Sequence, residues 1–133
     1  MEKVEHIGIA VRNLAEAEQL YTKLLGAGPY KRETVESEGV TTSFFWVGDT
    51  KIELLETTRP DGPIAKFIEK RGEGIHHIAY AVTDIRREMT RLQAEGFTPI
   101  NEAPKPGADN KLVCFLHPKS TAGTLVELCQ EMG

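Results

Sequence analysis

Gly74-Ile75-His76-His77-Ile78-Ala79-Tyr80-Ala81-Val82 decides how this chain is read, because the chain contains it twice. Near the N-terminus stands Val4-Glu5-His6-Ile7-Gly8-Ile9-Ala10-Val11. A shift of 71 residues lays His6 on His77, Ile7 on Ile78, Ala10 on Ala81 and Val11 on Val82. The match continues downstream. Gly26 maps on Gly96, and Ile52-Glu53-Leu54-Leu55 maps on Val126-Glu127-Leu128-Cys129. The chain is therefore a two-fold internal repeat, with repeat one at about 1–60 and repeat two at about 74–133.

Each copy reads β-α-β-β-β. Val4 to Val11 is an apolar, β-branched run with the pattern of a buried strand. Asn13 is an N-cap, with Glu16 placed to close a capping box. Leu14, Ala17, Leu20, Tyr21, Leu24 and Leu25 then recur at helical spacing, up to Gly26. Residues 30–36, 40–47 and 51–56 read as strands, with a Gly48-Asp49 hairpin turn between the last two. Thr57 to Pro63 is a linker, and Pro63 opens a short helix that stops at Gly72. In the second copy, Ile75 to Val82 is a strand and Asp84 caps a helix through Ile85, Met89 and Leu92. Pro99 and Ile100 fall in the next strand. Pro104 to Asn110 is a loop. Lys111 to Leu116 and Thr124 to Cys129 are the last two strands. A unit with one apolar sheet face must bury it. The expected fold is therefore α+β, a single domain over 1–133, with two βαβββ modules forming a curved mixed sheet around a cleft.

Composition narrows the partners. The chain has 133 residues, enough for a core without staples, and a net charge of −4, which gives no basic footprint for nucleic acid. No apolar run approaches the roughly 20 residues needed to span a bilayer. The N-terminus runs straight into a strand pattern, without a signal-peptide pattern. Cys114 and Cys129 lie in apolar runs and read as core thiols in a reducing compartment. The expected location is the cytoplasm.

The chemistry follows from what is polar inside these apolar strands. His6 and His77 come first, and Glu53 and Glu127 second. An ionised carboxylate among such neighbours is costly unless it is paired or bound to a metal. If the first and last strands of each copy are neighbours, each copy sets one His beside one Glu. Two copies supply two imidazoles and two carboxylates, a set suited to a divalent transition metal with room left for water or substrate. One such histidine alone would read as structural. Matched positions in two copies make four independent accidents a poor explanation. His76 adjoins His77, but strand alternation puts it on the opposite face. Glu56 is an odd number of residues from Glu53 and is expected on the surface.

Four segments carry a resemblance that spans the chain. They are His6-Ile7-Gly8-Ile9-Ala10-Val11, Ile52-Glu53-Leu54-Leu55-Glu56, Pro63-Ile64-Ala65-Lys66-Phe67 running into Lys70-Arg71-Gly72-Glu73-Gly74-Ile75-His76-His77-Ile78-Ala79, and Phe115-Leu116-His117-Pro118-Lys119-Ser120 leading to Val126-Glu127-Leu128. The chain resembles the vicinal oxygen chelate superfamily (glyoxalase and bleomycin resistance-like proteins) and, within it, most resembles the methylmalonyl-CoA epimerase family. The resemblance implies metal ligation by His6, Glu53, His77 and Glu127, by cobalt or another divalent ion. It implies epimerisation of (2R)- and (2S)-methylmalonyl-CoA by α-proton abstraction through an enolate, and a homodimer. Glu127, ligand and neighbour of the reacting carbon, is the expected acid/base. Thr42 stands where some members carry a glutamate proposed as a base, so one proton-transfer role is unassigned. Lys111, His117, Lys119, Ser120 and Thr121 are the expected contacts to the CoA end of the substrate. Two other readings compete. Glyoxalase I-type isomerisation of a glutathione hemithioacetal is disfavoured by the PIAKF and FLHPKS segments. A non-catalytic ligand-binding module of the same fold is disfavoured by the four intact ligands.

Overall fold

The computed structural model describes residues 1–133. It contains eight strands and three helices: β1 (Lys3–Ala10), α1 (Leu14–Leu25), β2 (Lys31–Val35), β3 (Val40–Val47), β4 (Thr50–Thr57), α2 (Pro63–Arg71), β5 (Gly74–Ala81), α3 (Ile85–Ala94), β6 (Lys105–Gly107), β7 (Lys111–Leu116) and β8 (Val126–Glu131). The β-α-β-β-β order occurs twice, with α2 as the connector. By compactness the chain divides into His6–His76 and a second unit of His77–Gly133 together with Met1–Glu5.

In the first unit the strand order is β2-β3-β4-β1. β1 runs parallel to β4, while β3 is antiparallel to both β4 and β2. The two sheet faces are used differently. Val11, Leu14, Ala17, Phe45 and Leu54 pack together between α1 and the sheet. Asn13 starts α1 by accepting the Glu16 N–H at 3.0 Å, and Gly26, at φ +82°, ends it by donating its N–H to Thr22. The core stripe of α1 is narrower than the periodicity suggests. Leu20 and Leu24 are 63% and 69% exposed, because Leu14, Ala17, Tyr21 and Leu25 already fill the face toward β3 and β4. On the other sheet face, α2 sets Ile64 against Ala10 and Leu55.

The second unit repeats this plan in the order β5-β8-β7-β6, with β5 parallel to β8. α3, capped by the Asp84 side chain, packs Ile85, Met89 and Leu92 on Cys114, Leu116 and Leu128. Met1 and Glu2 belong here. The terminal amine meets Glu88 at 3.4 Å, and Glu2 N–H donates to the Ala81 carbonyl.

The expected strand at Pro99 and Ile100 is a single bridge, Pro99 to Leu116. Proline lacks the N–H that a ladder needs, and Asn101 ends the pairing by turning its side-chain oxygen to the Phe115 N–H. The strand falls instead within the expected loop, at Lys105–Gly107. It pairs with Lys111–Val113, and Asp109 and Asn110 take φ of +59° and +57° to close the turn. Pro106 is tolerated there because β6 is an edge strand. β8 also starts later than expected. The Thr121 hydroxyl donates to the Thr124 carbonyl and keeps Thr124 in the preceding turn.

Candidate active site

The parallel pairing of β1 with β4 sets Gly8 opposite Glu53. His6 lies two residues before Gly8, on the same face. Gly8 adds no side chain, so the imidazole and the carboxylate meet diagonally, His6 Nδ1 to Glu53 Oε2 at 3.2 Å. Both residues are about 5% exposed. The second unit reproduces this register. Ala79 lies opposite Glu127, and His77 Nε2 stands 2.9 Å from Glu127 Oε1, again buried. The expected His–Glu adjacency is thus present in each unit, on the sheet face away from α1 and α3.

The repeat reaches one residue further than the sequence reading followed it. Phe44 lies directly across from Glu53, and Phe115 directly across from Glu127. Each glutamate is therefore held between a small residue on one neighbouring strand and a phenylalanine on the other. The Phe115 ring also meets the His77 ring edge-on at 5.8 Å. Apolar walls of this kind strengthen any charge interaction made between them. In the second unit the Cys129 thiol donates to Glu127 Oε2 at 3.5 Å.

A buried lysine at the site escaped the sequence reading. Lys51 is only 1% exposed. Its ammonium lies 3.8 Å from Glu53 Oε2 and within 6 Å of the Phe44 and Trp46 rings. The usable signal was its parity: two residues before Glu53, it shares that face. The second copy has Leu125 at the matching place, so the lysine breaks the symmetry of the two modules.

The remaining residues settle as follows. His76 turns from His77 and packs edge-on against Phe67 of α2, at 4.9 Å. Glu56 corrects an expectation. It is half-buried and accepts the Leu14 N–H at the start of α1, where the helix leaves donors unpaired. Thr42 is buried in β3 between Glu33 and Leu55. Glu36 and Glu38 form a 3-10 turn between β2 and β3. Lys111 is the first residue of β7 and pairs with Glu131 at 3.0 Å. His117 accepts the Lys119 N–H on its Nδ1, and the Ser120 hydroxyl donates to the His117 carbonyl. Thr121 donates within the same turn, leaving the Lys119 ammonium on its exposed rim. Both cysteines are free. Burial pushes the Cys114 thiol above its ordinary pKa, so it rests as a protonated core group.

The buried pairs fit a divalent cation. Imidazole nitrogens and carboxylate oxygens are borderline and hard donors suited to first-row divalent metals. Two buried carboxylates gain from a cation that balances their charge.

The comparisons agree with this chemistry. Residues 5–115 match the Glyoxalase/Bleomycin resistance protein/Dioxygenase superfamily. The chain is 42% identical to the ethylmalonyl-CoA/methylmalonyl-CoA epimerase of Cereibacter sphaeroides, over 96% of this chain and 97% of that one. It is 43% identical to the mitochondrial methylmalonyl-CoA epimerase of Dictyostelium discoideum, over 95% of this chain and 76% of that one. A Streptomyces coelicolor methylmalonyl-CoA epimerase variant, solved with 2-nitronate-propionyl-CoA, superposes with a TM-score of 0.96 at 29% identity, covering 100% of this chain and 99% of that one. The α+β architecture of paired βαβββ modules is the fold shared with these proteins. Fold, buried pairs and full-length identity converge: the chain belongs to the methylmalonyl-CoA epimerase family of the glyoxalase/bleomycin resistance protein/dioxygenase superfamily.

Proposed function

We propose that this protein is an isomerase that interconverts (2R)- and (2S)-methylmalonyl-CoA. One observation carries the reading. Both buried His–Glu pairs are intact in a chain 42% identical, along nearly its whole length, to an epimerase of ethylmalonyl-CoA and methylmalonyl-CoA.

The reacting carbon lies between a thioester and a carboxylate, and its hydrogen leaves as a proton. His6, Glu53, His77 and Glu127 are the proposed ligands of one divalent ion. When bound, that ion supplies Lewis acidity that stabilises negative charge on the thioester oxygen. Cobalt is the proposed ion; the mixed imidazole and carboxylate set supports a first-row divalent metal. Glu127 takes or returns the α-proton from one side. Phe115 across from it keeps water away from that carboxylate. The CoA end lies toward the turn after β7, where Lys119 offers its charge and His117, Ser120 and Thr121 set the turn. Lys111 is the second proposed cation for that end. A homodimer in the cytoplasm completes the proposal, on the family resemblance and on two free thiols. No helix is long and apolar enough to cross a membrane. Glyoxalase-type isomerisation and passive ligand binding gain no support from relatives that are named as epimerases and match 95% or more of this chain.

The test is α-hydrogen exchange. Methylmalonyl-CoA incubated with the protein and Co²⁺ in D₂O is expected to take up deuterium and to epimerise. Chelator-treated protein is expected to do neither. A metal-loaded protein that leaves the α-hydrogen in place would move the function elsewhere on the same fold.

A further inference from the structure

Inversion at a carbon requires a proton-transfer group on each side of it, and Glu127 accounts for one. This inference rests on the epimerase reading above. A carbon held at a cation that His6 and Glu53 help to bind is bordered by the sheet face that carries those two residues. In the first unit that face is defined by register. Glu53 lies across from Phe44, and Phe44 across from Lys31. One step along, Leu55 lies across from Thr42, and Thr42 across from Glu33. The alternate residues of β2 and β3 face α1 instead, as the contacts of Arg32 and Ser43 with Glu18 show.

The ionisable side chains on this face of β2, β3 and β4, apart from Glu53, are Lys31, Glu33 and Lys51. Lys51 is lodged beside Glu53, and the Lys31 ammonium lies over the Phe44 ring at 5.1 Å. Glu33 is the carboxylate left on these three strands, and Glu5 on β1 is buried. Its side chain is about one-third exposed, and Lys31 Nζ stands 3.4 Å from its Oε1, which fixes it toward the same face. Two strand spacings and one pleat repeat separate Glu33 from Glu53, so their α-carbons lie roughly 12 Å apart. A glutamate reaching inward across that span can approach an acyl group held beside Glu53.

We infer that Glu33 is the second acid/base of the reaction. With one epimer bound, the Glu33 carboxylate accepts the α-hydrogen as a proton, and the C–H electron pair delocalises onto the thioester oxygen. Protonated Glu127 then delivers its proton to the other side, and the new C–H bond forms from the delocalised pair. The opposite epimer reverses the two roles. Exchange with water resets both carboxyl groups between turnovers, and nothing is oxidised or reduced.

The experiment separates exchange from inversion. Each epimer is incubated separately with metal-loaded wild type and Glu33→Gln in D₂O, and deuterium content and configuration are read together. Wild type is expected to exchange and invert both. Glu33→Gln is expected to exchange one epimer with retention, to leave the other unexchanged, and to invert either about 10²- to 10⁴-fold more slowly. Glu33→Asp, which keeps a carboxylate on a shorter stem, should recover part of the inversion. The inference fails if Glu33→Gln inverts at near the wild-type rate. It fails too if that variant, folded and metal-loaded, loses exchange of both epimers alike, since a one-sided group cannot do that. A wild type that exchanges neither epimer would instead sink the epimerase reading.

Discussion

A lysine that is 1% exposed must be matched to its surroundings, and Lys51 is matched to Glu53. The ammonium and the proposed metal ion compete for the same carboxylate. Replacing Lys51 with methionine keeps the stem and removes the charge. The metal-free protein should lose stability, by about 3 kcal/mol if the pair behaves like other buried pairs with one partner removed. Divalent metal should bind more tightly, on the order of tenfold, because a nearby positive charge is gone. Urea unfolding of the chelated protein and a competition titration with Co²⁺ read the two effects, and weaker metal binding would overturn the argument. At this scale the four proposed ligands were legible because the repeat marks them. Lys51 was not. A lysine just after a Gly-Asp turn reads as solvated, but Phe44 and Trp46, folding across from β3, lie against it. Glu56 escaped for a related reason. Alternation places it correctly on the far face, but that face meets the start of α1 and not water.

Between elements, Glu18 ties α1 to the sheet by accepting from Arg32 on β2 and from the Ser43 hydroxyl on β3. The Arg32 hydrogen bond, foremost, holds the Glu18 carboxyl below its ordinary pKa. A carboxylate depressed in the folded state stabilises above its unfolded pKa, and the gain is lost as pH falls through the folded value. Glu18→Gln should therefore cost stability at neutral pH, about 1 kcal/mol since Arg32 is half exposed. The difference from wild type should shrink as pH falls below the usual carboxylate range. Chemical denaturation at pH 7 and at pH 3 checks this, and an equal loss at both would show that Glu18 acts through packing alone. The elements themselves were legible wherever a capping residue and a stop residue agreed, as at Asn13 and Gly26 or at Asp84 and Gly96. The exception was β6. Its three residues include a proline and a glycine, and its pairing depends on Asp109 and Asn110 adopting left-handed backbone, which composition alone reads as a loop.

For the whole molecule, the repeat made the fold legible, since Gly8 opposite Glu53 and Ala79 opposite Glu127 are one register used twice. The proposal that both pairs serve one ion makes a stoichiometric prediction. Co²⁺ should bind at one ion per chain. A hundredfold excess over Kd should add about 2.7 kcal/mol, a rise in Tm on the order of 10 °C. His6→Ala alone and His77→Ala alone should each remove most of that rise. Two ions per chain, or two half-sized and independent losses, would mean that each pair binds its own ion. Calorimetric titration and thermal melts decide between these outcomes.

The outermost strands of the sheet order carry one more consequence. β2 presents Lys31 and Arg32, and β6 presents Lys105 and Pro106, at the positions where an added strand would have to dock. Charged side chains on an edge and a missing N–H both oppose such docking. In a protein with eight strands and 40% apolar residues, outer strands of this kind are poor templates for fibril growth.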